Sequence, residues 1–215
     1  GVSYRVQGAA DFPVRVDLPG LFSVSNSLAA IAVCAQMGIP EKAMQEALST
    51  VRVRGRCEAV PVYPEMTLLI DYAHNAMSLE SLLKTLRKYH PKRLICLFGC
   101  GGNRDAGKRP KMAAAAADNA DFLIVTSDNP RNEDPDAIIE DVLKGLEGKT
   151  TPYIRMTDRR EAIHWAVKHA EKDDIIVLAG KGHEDYQILA GGVKIHFDER
   201  EVVAEALAEL AAEGK

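Results

Sequence analysis

The rhythm of apolar and polar positions changes once along this chain. Near its start, Tyr4 to Val6 and Val14 to Leu18 alternate apolar with polar, and turn-type residues lie between them. That pattern predicts a β-hairpin or two adjacent strands. Leu28 to Met37 is a nearly continuous, alanine-rich apolar run introduced by Ser25, Asn26 and Ser27. It predicts a buried helix with a polar N-terminal cap. Gly38-Ile39-Pro40 closes that run, and Glu41 to Leu48 predicts a second short helix. So small a set cannot bury a core by itself and is expected to be the tail of a larger unit. The basic, glycine-broken stretch Arg52 to Glu58 marks the predicted boundary.

After it the rhythm becomes regular. Short continuous apolar runs at Leu68 to Ile70, Leu94 to Leu97, Phe122 to Val125 and Ile175 to Ala179 predict strands covered on both faces, with a weaker one at Tyr153 to Arg155. Helical periodicity follows at Ser78 to Tyr89, Pro110 to Ala117, Asp136 to Leu146 and Arg159 to Glu171. A hairpin (Tyr186 to Leu189, turn at Gly191-Gly192, Val193 to Phe197) and a last helix (Glu199 to Ala212) complete the pattern. The fold class is α/β: a mostly parallel sheet, helices on both faces and a C-terminal hairpin.

Four polar turns follow four of these strands: Asp71 to Asn75 (DYAHN), Phe98 to Asp105 (FGCGGNRD), Thr126 to Arg131 (TSDNPR) and Gly180 to Asp185 (GKGHED). Ligands of open α/β sheets bind outside the carboxyl ends of strands, so the turns are expected to face one crevice. They offer glycine backbone, arginines, carboxylates, an asparagine and histidines, which suits a small molecule bearing charges of both signs. Gly102 to Lys108 fits G-x-x-x-x-G-K, but Arg109 stands where a P-loop has Ser or Thr, so that match is set aside. Arg104 can pair a carboxylate. Pro130 stiffens the DNPR bend, from which Asp128 and Arg131 can hold the amine and acid of an amino acid. The plainer alternative caps the turn with Asp128 and pairs Arg131 with Glu133 or Asp134. Glu184 can bind an ammonium; Lys181 and His183 can meet phosphate or only solvent. Asp71 can accept from a ribose, and His74 can touch phosphate or base, or make only a local turn hydrogen bond.

Composition narrows the partners. The chain has 215 residues, 47% hydrophobic, with a formal net charge of −4. That argues against nucleic acid or an anionic membrane as main partner. No apolar run approaches a bilayer span, and no secretory signal opens the chain. The four cysteines form no CxxC pair and read as reduced thiols of a cytosolic protein, not as metal ligands. Gly1 rather than methionine suggests a piece of a longer protein.

Together LPGLFSVSNSLAA, RGRCE, LLIDYAHN, FGCGGNRDAGKRP, TSDNPRNEDP and GKGHEDYQ closely resemble the Mur ligases of peptidoglycan synthesis, over essentially the whole chain. Within that family the DNPR motif marks ligases that add meso-diaminopimelate. The resemblance implies a three-domain enzyme, of which residues 1–56 are the end of the central ATP-binding domain and 57–215 the Rossmann-like C-terminal domain. It assigns diaminopimelate binding to Arg104, Asp128, Asn129, Pro130, Arg131, Gly180 and Glu184, and ATP binding to Asn26, Arg56 and Asp71, with His74 beside them. Ser23 departs from the asparagine usual there. The implied cofactors are ATP and Mg2+; the P-loop, carbamylated lysine and magnesium ligands lie upstream, so this chain alone is expected to be inactive. The other implied substrate is the UDP-MurNAc dipeptide, and a cytoplasmic bacterial monomer with a hinge near Arg54 to Glu58 is expected. A lysine-adding ligase, a folylpolyglutamate synthase or a non-catalytic amino-acid or nucleotide-binding module are the alternatives.

Overall fold

The chain begins with an antiparallel pair, β1 (Val2–Val6) and β2 (Phe12–Val16), followed by α1 (Leu21–Gln36) and α2 (Glu41–Thr50). The computed structural model describes residues 1–8, 10–62 and 66–213. Inward-facing Val6, Phe12, Val14 and Val16 meet Ile31 of α1 and Met44 of α2 in a small core of their own.

The first helix departs from expectation in two ways. It starts at Leu21, after Pro19-Gly20, so Asn26 and its serine neighbours lie inside it and do not cap it. The serine hydroxyls turn back onto the helix: Ser23 Oγ donates to the Pro19 carbonyl at 2.8 Å and Ser27 Oγ to that of Ser23 at 2.6 Å. This internal bonding lets polar residues occupy helical positions. Nor is the helix buried, because only one stripe (Ser23, Ser27, Ile31) is covered, while Val33 and Met37 are 60% and 72% exposed.

The rest of the chain is built on one six-stranded sheet. Its strands are β3 (Glu58–Val60), β4 (Thr67–Asp71), β5 (Leu94–Cys100), β6 (Phe122–Ser127), β7 (Tyr153–Met156) and β8 (Ile175–Ala179), in spatial order β3-β4-β8-β5-β6-β7. All pairings are parallel except β3 with β4. Edge strand β3 was not expected; three half-exposed residues carry too little apolar signal. Along the sheet Ile70, Leu178, Leu97 and Ile124 fall in one register row.

Alternation sorts the strand side chains into two layers. Leu69, Cys96, Phe98, Val125 and Val177 pack under α3 (Ala76–Arg87), α4 (Lys108–Ala117) and α5 (Pro135–Leu143). Ile70, Leu97, Ile124 and Leu178 pack under α6 (Arg159–Lys168) and α7 (Glu199–Ala212). Asn75, Asp134, Asp158 and Asp198 cap α3, α5, α6 and α7 with side-chain oxygens, which fixes where each loop ends. The expected hairpin forms as β9 (Tyr186–Ile188) and β10 (Lys194–His196).

This topology places the site. β8 inserts between β4 and β5, so β4, β8, β5 and β6 are consecutive neighbours. Their carboxyl ends carry the four polar turns.

Candidate functional site

The four turns close on a cavity of about 350 Å³. It is lined by Tyr72 and His74 from the first turn, Gly99 to Gly101, Arg104 and Lys108 from the second, Asp128, Asn129 and Arg131 from the third, and Gly180 and Glu184 from the fourth. Pro130 does not line it. Its carbonyl instead lies against the α-carbon of Gly102, so it shapes the bend.

Arg131 sits in the left-handed region (φ 53°), with its amide donating to the Ile188 carbonyl at 3.0 Å. Its Nη1 donates to the Gly102 carbonyl at 2.9 Å, which holds the guanidinium against the second turn in the cavity wall. The alternative surface pairing does not form: Glu133 binds Arg109 at 2.7 Å, and Asp134 caps α5. Among the described residues no carboxylate pairs with Arg131 or with the exposed Arg104. Asp128 divides its oxygens: Oδ1 accepts from the Asn129 amide at 2.6 Å, while Oδ2 faces Gly180, where an added Cβ would lie 2.9 Å away. Gly180 holds φ at 118°, so the fourth turn needs glycine twice over, for backbone and for space.

Asn129 is engaged at both side-chain atoms inside the protein. Nδ2 donates to Glu184 Oε2 at 2.9 Å, and Oδ1 accepts from the Ile188 amide at 3.0 Å and from Lys181 Nζ at 3.3 Å. Lys181, expected to touch phosphate or solvent, is 0% exposed and pairs with Glu184 at 3.2 Å. Two buried donors therefore hold one edge of Glu184, whose side chain is 14% exposed at the cavity. Burying the lysine without that partner would carry a heavy desolvation cost.

Arg109 explains the rejected P-loop. The guanidinium is 3% exposed and bridges Glu133 and Asp141, and Glu133 also accepts the Asn103 amide. The glycine-rich turn is thus pinned to α5. Lys108 reaches the His74 carbonyl at 3.1 Å, tying α4 to the first turn. Burial pushes the Cys96 and Cys100 thiols up to about 12, which suits inert packing inside β5.

A second, mostly apolar cavity of about 780 Å³ opens between α1, α3 and residues 51–57. Asn26, Arg56 and Asp71 line it together, with Ser23; His74 faces the smaller cavity instead. Both Asp71 oxygens accept backbone amides, Cys57 on Oδ2 and Ala73 on Oδ1, each at 2.8 Å. His74 Nδ1 makes the local turn bond to the Tyr72 carbonyl at 2.8 Å. Tyr72 is the partition: Arg56 lies over its ring at 4.9 Å, and the His74 and His183 rings flank it. Among the described residues no cluster of three His, Cys, Asp or Glu side chains is arranged to hold a metal ion.

Comparison with known proteins assigns the family. The family model described as "Mur ligase, glutamate ligase domain" matches residues 55–182. The chain belongs to the Mur ligase family. It is similar to a UDP-N-acetylmuramoyl-L-alanyl-D-glutamate–2,6-diaminopimelate ligase from Caldanaerobacter subterraneus subsp. tengcongensis, 48% identical over 210 residues, covering 97% of this chain and 43% of the relative. A ligase of the same name from Clostridioides difficile is 44% identical over 212 residues, covering 98% and 44%. A solved 2,6-diaminopimelate ligase structure superposes with a TM-score of 0.70 at 38% identity, over 97% of this chain and 43% of its own. The chain thus spans less than half the length of the relatives it matches.

Proposed function

We propose that this chain is the amino-acid-selecting part of an ATP-dependent amide ligase that adds meso-diaminopimelate to UDP-MurNAc-L-Ala-D-Glu in peptidoglycan precursor synthesis. One observation carries the reading: Arg131 faces the cavity of Asp128 and Glu184 with no carboxylate of its own. Diaminopimelate bears two ammonium and two carboxylate groups. Asp128 Oδ2 and Glu184 suit ammonium; Arg131 and Arg104 suit carboxylates, with Asn129, Pro130 and Gly180 shaping the bed. Lysine lacks the second carboxylate, and leaving a partly desolvated guanidinium unmatched costs about 1–3 kcal/mol. The names of the similar diaminopimelate ligases support the same substrate.

ATP would supply the phosphoryl group that activates the acceptor carboxylate. Asn26, Arg56 and Asp71 would hold it in the larger cavity, whose apolar walls suit a base and whose Arg56 suits a phosphate. His74, beside Tyr72, stands at the passage to the amine. Magnesium would rest on residues outside this chain. The residues described here orient and deliver the amine, a positioning role. Residues 1–56, with their separate small core, are the end of the ATP-binding domain and 57–215 the C-terminal domain. The protein works as a cytoplasmic monomer on small molecules, and the chain alone does not hydrolyse ATP.

The test is amide ligation by the full-length protein containing this chain, with diaminopimelate and lysine compared. Arg131→Ala is expected to lower kcat/KM for diaminopimelate roughly ten- to a hundredfold while sparing the slow reaction with lysine. Unchanged diaminopimelate kinetics would remove Arg131 from the site.

A further inference from the structure

Arg159 and Glu199 are among the most deeply buried charges in the protein, and neither belongs to the four turns. Both side chains are 0% exposed and meet at 2.7 Å. Arg159 opens α6 and Glu199 opens α7, so both reach the sheet from the face opposite α3, α4 and α5. The guanidinium also crosses the sheet: Nη2 donates to the Ala179 carbonyl at 3.0 Å, and Nη1 to the Ser127 carbonyl at 3.3 Å. These are the last residues of β8 and β6, each one bond before Gly180 and Asp128.

β8 and β6 are not neighbours; β5 runs between them. No ladder hydrogen bond joins their ends directly; each is held only to β5, Ala179 opposite Phe98 and Ser127 opposite Cys100. β5 is thinned at this level by Gly99, where an added Cβ would overlap Ser127 and the Thr126 carbonyl. A planar group with donors on two prongs spans such a gap, and an ammonium does not. Glu199 keeps the guanidinium in orientation through Nε and Nη2.

We propose that Arg159, oriented by Glu199, is a positioning residue that sets the spacing between the Asp128-to-Arg131 turn and the Gly180-to-Glu184 turn, and so matches the cavity to the length of its amino-acid substrate. The inference rests on the amino-acid-binding reading above. Bonds nearer the cavity (Asn129 to Glu184, Arg131 amide to Ile188) then lock turns that the guanidinium has already set apart.

Two variants test it in the full-length protein. Arg159→Lys keeps the charge but cannot bridge both carbonyls. The double variant Arg159→Met, Glu199→Leu removes the pair together, an exchange that buried ion pairs often tolerate without loss of stability. KM for diaminopimelate is expected to rise at least tenfold in either folded variant, with KM for ATP unchanged within twofold. If the double variant fails to fold, Arg159→Lys decides on the same ratio. A rise in both constants together, or in neither, overturns the proposal. A second readout needs no substrate. In the 215-residue chain, amide exchange at Arg131 and Ile188 is expected to speed up at least tenfold in Arg159→Lys; unchanged exchange there overturns it too. A parent protein inactive with diaminopimelate would refute the substrate, while the exchange data would still judge the spacing role.

Discussion

Gly102 has no room for a side chain: a Cβ there would overlap the Pro130 carbonyl oxygen and crowd Glu133. Its own carbonyl receives Arg131 Nη1, and its amide donates to the Asn129 carbonyl at 3.0 Å. Gly102→Ala should therefore push the third turn away from the second at a cost of about 1–3 kcal/mol. The expected result is a loss of diaminopimelate kcat/KM comparable to that of Arg131→Ala, with the chain still folded by circular dichroism. Wild-type kinetics would mean that the two turns move independently. At this scale the sequence was legible where polar residues end an apolar run, as with Asp128, Arg131, Gly180 and Glu184, because such residues have no core to serve. Lys181, Arg109 and Arg159 were not legible. A buried cation and a solvated one look alike until the partner carboxylates (Glu184, Glu133, Glu199) are brought from elsewhere in the chain.

One element decides how the two cavities are coupled: the strap of residues 54–58. Gly55 packs flat on Gly182 and His183, and its amide donates to Glu58 Oε2 at 2.6 Å. Arg200 grips Glu58 with Nε and Nη2, reaches Asp198 with Nη1 and the Gly182 carbonyl with Nη2, and Arg54 pairs with Asp198 at 2.7 Å. A strap so anchored is a poor pivot, which argues that any hinge lies before Arg54. The Arg200 hydrogen bond, opposed by partial burial and helped by the Gly55 amide, holds the Glu58 carboxyl below the usual carboxylate range. A depressed acid contributes stability that is complete above its unfolded pKa of about 4.3 and disappears as pH falls through the folded value. The Glu58 side chain is still 28% exposed to screening solvent, so about 1 kcal/mol is the most to expect. Arg200→Met should then lower Tm by about 2–4 °C at pH 7, and the gap should narrow as pH falls below about 4.3, where Glu58 and Asp198, both held down by Arg200, take up protons. A gap that persists unchanged to pH 3 would assign the loss to packing of the long side chain. The strap also shows where element reading fell short. RVRGRCE was legible as a break in pattern, but β3, which begins at its last residue, was hidden, because an edge strand of three residues has no periodicity to read. The early start of α1 was hidden for a related reason: serines that bond back to their own helix imitate a cap.

For the whole molecule, parallel strands and two-faced helices were legible from short apolar runs between amphipathic stretches, but the strand order was not. Which turns become neighbours depends on β8 inserting between β4 and β5, and on Arg159 joining β6 to β8; both are long-range facts. The two cores differ in kind. The sheet is sandwiched between two layers in which Leu68, Ile70, Leu97, Phe98, Val177 and Leu178 are wholly buried. The N-terminal unit relies on one face of a two-stranded ribbon against parts of two helices, and α1 leaves Leu21 and Val33 in water, as does Met37 at its C-terminal cap. A two-stranded ribbon with so little apolar cover is marginal by itself. Stability in such a chain should be uneven, with the N-terminal unit opening at lower free energy than the sheet. Hydrogen exchange on the 215-residue chain checks this directly. Amides of β1, β2, α1 and α2 should exchange through openings at least 2 kcal/mol cheaper than those of β4, β5, β6 and β8, roughly a thirtyfold difference in rate. Adding the remainder of the full-length protein should slow the first set and leave the second nearly unchanged. Equal protection of both sets in the chain alone would show that the strap at residues 54–58 couples them into one cooperative unit, and that the larger cavity is held as rigidly as the smaller.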